Sequence, residues 1–262
     1  MCFENYPKII LNEVMTNLLF SQYQPSPKAT TQTHTLLSGR TLTVHLVGHN
    51  PLWGHHLWNA GRLISTHLES IPSLIANKTV LELGAGAGLP SLICAEIGAK
   101  KVVVTDYPDP DLVKNLWTNI DEYYSSRTEE GEEGRIVAEG YCWGNDAKPL
   151  LAHLSPTESK IPGFEVLILA DLLFNHSEHG KLVATIEATL LKTEDAKALV
   201  FFTPYRPWLY DKDMAFFDLA REKGFLVEKV LEAKMEKVMF ESDPGDEDLR
   251  RTVFGFVVRW KL

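Results

Sequence analysis

Three glycines at alternating positions, Gly84, Gly86 and Gly88, follow the apolar run Val80-Leu81-Glu82-Leu83 and precede the helix-forming Ser91-Leu92-Ile93-Cys94-Ala95-Glu96-Ile97. Glycine reaches positive backbone angles and lets a ligand approach the chain closely, while the start of the following helix offers unpaired N–H groups. The spacing predicts a strand, a tight turn and a helix that cradle a nucleotide. A second strand at residues 101–106 ends in Asp106, eighteen residues past Gly88. A carboxylate there is placed to accept hydrogen bonds from both hydroxyls of a ribose. The dinucleotide fingerprint needs a Gly or Ala three positions beyond its second glycine. Leu89 and Ser91 hold that position in the two possible frames, so a nicotinamide-dinucleotide site fits poorly.

A second constellation follows the run at residues 164–171, which ends in Asp171 and continues Leu172-Leu173-Phe174. Its near-continuous apolar character is that of a central parallel strand buried on both faces. Ligands of such sheets sit at the carboxyl ends of the strands near the point where strand order reverses. Trp143, just past a strand at residues 135–141, is then placed against an adenine. Trp53 precedes Gly54 at an expected helix start, where its side chain can lie over a cofactor, whereas Trp58 is expected in the core. His55-His56 has no metal-ligand spacing, so no metal site is expected. Cys2, Cys94 and Cys142 are odd in number and lack a C-x-x-C pair, which disfavours a disulfide framework or zinc site and fits the cytoplasm.

The elements that must position these residues can be read along the chain. Residues 8–20 suggest a short amphipathic helix with Ile10, Val14, Asn17 and Leu18 on one face, and residues 22–33 a linker. Alternation at residues 34–37 and 41–47 predicts a hairpin, and a helix should run from about Leu57 to Leu68. Further helices are expected at residues 112–124, 178–191 and 212–223, and strands at 198–203, 225–233 and 252–260. Strands and helices that alternate and close on two successive strands make a mostly parallel α/β sheet with an antiparallel C-terminal hairpin. At 262 residues the chain suits one large domain. The expected division is an extension at 1–32 and a domain at 33–262, with the preceding hairpin and helix at 33–77 and the core at 78–262.

With 35 acids against 26 bases the net charge is −9. Such a surface repels phosphate backbones, which argues against direct nucleic-acid binding and for a basic protein partner. The acidic stretch at 129–133 reads as a solvated loop. Five of the eight residues at 241–248, between the last two strands, are also acidic. No apolar stretch approaches the roughly 18 to 20 residues that cross a bilayer. A monomer that does not enter a membrane is expected.

Together, Glu82-x-Gly84-x-Gly86-x-Gly88, Asp106, Trp143, Pro51-Leu52-Trp53-Gly54 and Ala170–Phe174 resemble family 16 of the class I, seven-stranded S-adenosyl-L-methionine-dependent methyltransferases. That group contains many protein lysine methyltransferases and carries an acid-x-x-aromatic motif, here Asp171-Leu172-Leu173-Phe174. The resemblance implies a Rossmann-like fold and a cofactor shell of Trp53, Leu83, Gly84, Ala85, Gly86, Gly88, Asp106, Trp143 and Ala170. Glu82 would help hold the cofactor's cationic amino acid end. Asp171 would orient the substrate amine, and Phe174 would pack on its alkyl stem and exclude water. Within the family, the Leu57–Gly61 stretch and the following core are similar to fungal enzymes that methylate translation elongation factor 1-alpha at its N-terminal glycine and neighbouring lysine. Relatives are also named nicotinamide N-methyltransferases, which leaves a small-molecule acceptor as the alternative. A non-catalytic module of the same fold, holding a basic partner through its acidic loops, is a second alternative.

Overall fold

The computed structural model describes residues 28–127, 134–155 and 162–262. The amphipathic helix expected at 8–20 and the acidic stretch at 129–133 lie outside the described residues.

A hairpin opens the described chain. Strand β1 (Thr30–Thr35) pairs antiparallel with β2 (Thr41–Leu46), Thr30 opposite Leu46 and Thr35 opposite Thr41. β1 therefore takes Thr30–Thr33 from the expected linker. Those threonines are mostly exposed, so apolar alternation could not reveal them; β-branched side chains and pairing with β2 make the strand. On β2, Leu42, Val44 and Leu46 alternate into the core. The chain then enters helix α1 (Asn59–Ser70), which buries Ala60, Ile64 and Leu68 at helical spacing.

The core follows as β3 (Thr79–Leu83), α2 (Leu89–Ile97), β4 (Lys101–Asp106), α3 (Pro110–Ser125), β5 (Ile136–Gly140) and a short α4 (Lys148–Leu151). It continues with β6 (Val166–Ala170), α5 (His179–Thr189), β7 (Lys197–Phe202), α6 (Tyr210–Glu222), β8 (Phe225–Lys234), a short α7 (Glu247–Arg250) and β9 (Thr252–Trp260). Seven strands form one sheet in the order β5-β4-β3-β6-β7-β9-β8. The pairs from β5 to β7 are parallel, and β9 is antiparallel to both β7 and β8. This is the mostly parallel sheet with an antiparallel C-terminal hairpin expected from the sequence.

Strand alternation divides the core in two. Val80, Val102 and Val104 face a cluster shared with the hairpin, α1, α2 and α3, while Leu81, Leu83 and Val103 face α5 and α6. Asn119 on α3 fastens the hairpin by accepting from the His45 N–H at 2.7 Å and donating to the His45 carbonyl at 2.9 Å. Strand order reverses between β3 and β6, so the exits of these two neighbours form the crevice where such sheets bind ligands. Among the described residues no helix is long and apolar enough to cross a membrane.

Candidate active site

The exit of β3 is built on left-handed glycines. Gly84, Gly86 and Gly88 have φ of 58°, 57° and 74°, angles that cost other residues strain. Their surroundings differ. A Cβ on Gly84 would lie 2.6 Å from Leu172 Cδ2 and 3.1 Å from Trp143 Cζ2, whereas one on Gly86 would meet nothing within 4 Å. Gly86 thus marks the open side of the loop. Gly88 is buried, its Cβ position 3.0 Å from Leu116 Cδ2, and it starts α2 beneath the loop. Ala85 is half-buried, with its N–H bonded to the Thr105 carbonyl at 3.0 Å, and the Leu83 side chain is fully buried.

Asp106 ties the second strand tip to this loop. Its Oδ2 accepts from the Gly86 N–H at 2.6 Å and its Oδ1 from the Tyr107 N–H at 2.7 Å. Burial pushes its pKa up to about 6, against the pull of those two amides. Trp143 stands at the rim, half-buried, and the Gly144 N–H beside it donates to Thr185 Oγ1 at 2.8 Å. Ala170, at the end of β6, is half-buried.

Glu82 corrects one expectation. It does not face the open side of the loop but lies buried beneath it, accepting from the Ser91 N–H at 2.9 Å and from the Ser91 hydroxyl. The N-cap of α2 is Gly88, which has no side chain to satisfy the first helical amides, and Glu82 supplies the missing acceptor from the strand. Burial pushes its pKa up to about 8.

Beside the exit of β6 lies a cavity of about 200 Å³ walled by Trp53, Trp58, Asp171, Phe174, Tyr205 and Phe240. Asp171 occupies the left-handed region at φ 55° and is buried. Its Oδ2 accepts from the Ala60 N–H at 2.8 Å and the Tyr205 hydroxyl at 3.2 Å, and its Oδ1 from the Thr203 N–H at 2.7 Å. It therefore caps α1 from across the crevice and holds the exit of β7. Burial pushes its pKa up to about 7, opposed by these donors. Phe174 is exposed at the rim, and the Arg206 guanidinium donates to its carbonyl at 2.6 Å.

Two tryptophans depart from expectation. Trp53 is not at a helix start: residues 51–56 form turns, and Trp53 itself has φ 64°, a conformation that is a true outlier for a bulky side chain. A self-bonded turn holds it there. The Trp53 N–H reaches the Asn50 carbonyl at 3.0 Å, and its own carbonyl accepts from Trp58 Nε1 at 3.2 Å. Trp58 is not core but half-buried in the cavity wall, edge-on to Tyr205 with centroids 5.0 Å apart and to Phe240 at 5.8 Å. That indole N–H needs an acceptor, and the turn carbonyl provides it at the cavity edge rather than inside the core.

The structure thus gathers Trp53, Asp171 and Phe174 in one cavity, and Gly84, Gly86, Asp106 and Trp143 around the neighbouring loop. Leu172 joins the two groups through its contact at Gly84. Sequence reasoning did not single out Tyr205, Arg206, Phe240 and Asp243 as site residues. Tyr205 and Arg206 follow the exit of β7, a position that strand order marks as ligand-facing. Phe240 and Asp243 arrive from the long β8–β9 connection, which carries no local signal. Among the described residues no group of three His, Cys, Asp or Glu side chains is arranged to hold a metal ion.

The loop fits a nucleoside cofactor: an open glycine edge permits close approach, a carboxylate at the adjacent tip suits sugar hydroxyls, and an indole at the rim suits a base. The adjoining cavity, ringed by aromatic faces and carboxylates, suits an amine.

Comparison with known proteins gives a consistent result. The model of a family described as lysine methyltransferase matches residues 37–223. The chain is 56% identical over 238 residues to a protein N-terminal and lysine N-methyltransferase efm7 of Neurospora crassa, covering 91% of this chain and 84% of that one. Among solved structures, a proposed RNA methyltransferase of Pyrococcus horikoshii superposes with a TM-score of 0.54 at 19% identity, covering 82% of this chain and 91% of that one. The P. horikoshii protein TYW2, solved in complex with MeSAdo, gives 0.51 at 18% identity, covering 96% and 83%.

Proposed function

Because this chain belongs to the lysine methyltransferase family, we propose that it uses S-adenosyl-L-methionine to methylate the N-terminal α-amine, or a neighbouring lysine, of a basic protein. Gly84, Ala85, Gly86 and the Leu83 backbone would hold the cofactor's amino acid portion, with Gly88 shaping the turn beneath them. Asp106 would hold its ribose, Trp143 its adenine, and Trp53 and Ala170 its reactive end. When bound, the cofactor supplies a methyl group activated by a positively charged sulfur.

What remains for the protein is to deliver a neutral amine in line with that methyl, which is mostly a matter of positioning. An α-amine with a pKa of about 7.7–8.0 is partly neutral at pH 7, whereas a lysine near about 10.4 must first lose a proton. The rings of Trp53, Trp58, Phe174, Tyr205 and Phe240 attract the ammonium form and exclude water, and desolvation then favours the neutral form. Phe174 packs on the alkyl stem. Asp171 faces the cavity with both oxygens already accepting hydrogen bonds, so it orients the amine through its charge and through the α1 start and Tyr205 that it holds.

The observation that carries this reading is the aromatic cavity at the exit of β6, joined to the glycine loop by the contact of Gly84 with Leu172. The family resemblance makes translation elongation factor 1-alpha the first acceptor to test, and the cytoplasm the compartment. Purified enzyme is incubated with labelled cofactor and, in parallel, with unmethylated elongation factor 1-alpha and with nicotinamide, followed by mass spectrometry of the protein's N-terminal peptide. Methylation of that peptide is the expected result. Label entering nicotinamide and not the protein overturns the reading.

A further inference from the structure

The connection between β8 and β9, residues 235–251, contains six acids, and the fold employs them unequally. Asp246 caps α7, its Oδ1 accepting from the Leu249 N–H at 3.1 Å. Asp248 pairs with Lys234 at 2.8 Å and Arg251 at 2.5 Å. Asp243 has no such employment. Among the described residues its carboxylate is given neither a cation nor a donor, and it is exposed at the border of the aromatic cavity. Arg206 on the same wall donates to the Phe174 carbonyl at 2.6 Å and makes no ion pair with Asp243.

The backbone around Asp243 is held on both sides. The buried Arg250 donates to the Phe240 carbonyl at 2.7 Å, the Asp243 N–H bonds the same carbonyl at 3.4 Å, and Gly245 rests on Pro207, its Cβ position 3.2 Å from Pro207 Cγ. A solvated loop needs no such fastening. Here it fixes a carboxylate that makes no side-chain ion pair or hydrogen bond among the described residues at the mouth of a pocket whose deeper carboxylate, Asp171, is already occupied by three protein donors.

We infer that Asp243 is a specificity-determining residue that pairs with a positive charge on the substrate chain beside the amine being methylated, so that the pocket selects basic segments. The inference rests on the reading of this cavity as the amine site. The aromatic rings handle the reacting amine, and Asp243 reads the neighbouring side chain.

The test uses two peptides with a free N-terminal glycine, identical except for arginine or citrulline at the second position. Citrulline keeps the shape of arginine and removes its charge. Wild-type enzyme should show kcat/KM about threefold or more higher for the arginine peptide, the scale of a partly exposed ion pair. Asp243→Asn should bring the ratio close to one, and Asp243→Lys should invert it. An arginine preference that persists in both variants overturns the inference while leaving the amine site intact. Transfer to neither peptide by the wild type overturns the amine-site reading and this inference with it.

Discussion

Two alanine substitutions in the glycine loop separate what the fold needs from what a cofactor needs. Alanine in the left-handed region costs about 1–2 kcal/mol, and this applies to Gly84→Ala and Gly86→Ala alike. Only at Gly84 does the new methyl collide, 2.6 Å from Leu172 Cδ2 and 3.1 Å from Trp143 Cζ2. Leu172 is buried in the cluster shared with α5 and has little room to retreat. Overpacking of this kind adds about 1–3 kcal/mol. Gly84→Ala should therefore lose about 2–5 kcal/mol and Gly86→Ala about 1–2 kcal/mol, out of a total of roughly 5–15. Urea unfolding without cofactor measures both, and calorimetric titration with S-adenosyl-L-methionine measures the other half. Gly86→Ala should stay folded and yet bind the cofactor at least about tenfold more weakly, about 1.4 kcal/mol, because its methyl fills the open side of the cradle. Equal destabilisation of the two variants, or wild-type affinity in Gly86→Ala, would refute the reasoning.

Two further perturbations test the buried carboxylates. Asp171→Ala leaves the Ala60 and Thr203 amides without their acceptor, at about 1–3 kcal/mol each, and adds left-handed strain. Asp171→Asn keeps one acceptor oxygen and tolerates that conformation, so its urea midpoint should fall between those of wild type and Asp171→Ala; a midpoint for Asp171→Ala equal to wild type would contradict the bracing role. For Glu82 the folded pKa of about 8 exceeds the ordinary 4.5, so its contribution is fully present below 4.5 and lost as pH rises through about 8. Glu82→Gln lacks that titration and retains an oxygen for Ser91. Relative to wild type it should gain about 2 kcal/mol near pH 6 and no more than about 5 kcal/mol at pH 9, since each pH unit between 4.5 and the folded value removes about 1.4 kcal/mol from the wild type. Unfolding curves at the two pH values giving the same difference would show that the carboxylate does not titrate there.

The glycine loop and the acids at the strand exits were legible because their signals are local: glycine permits φ that other residues avoid, and an apolar run ending in Asp names a buried strand and its tip. Glu82 shows the limit of adjacency. Next to the glycines in sequence, it points to the opposite end of the problem, the unsatisfied start of α2, because its neighbour Gly88 has no capping side chain. Trp53 misled for a related reason. A bulky residue at φ 64° contradicts local preference, and the hydrogen bonds with Asn50, His56 and Trp58 that surround it hold the turn. Phe240 and Asp243 were not assigned to the site because a long connection between antiparallel strands has no periodicity to read, and its route to the cavity is set by Arg250 and Gly245.

The bond from Asp171 to the Ala60 amide spans 111 residues and fuses the segment ahead of β3 to the signature motif. Modularity ends there. A chimera that grafts residues 33–77 of another methyltransferase onto this sheet must bring its own helix-start N–H within reach of Asp171, and a fragment trimmed to the nominal core at 78–262 keeps the glycine loop but forfeits Trp53 and Trp58 from the aromatic wall. Engineering a new acceptor preference into this scaffold therefore means exchanging the leading segment, the β6 exit and the β8–β9 connection as a set, since each holds a share of one small chamber.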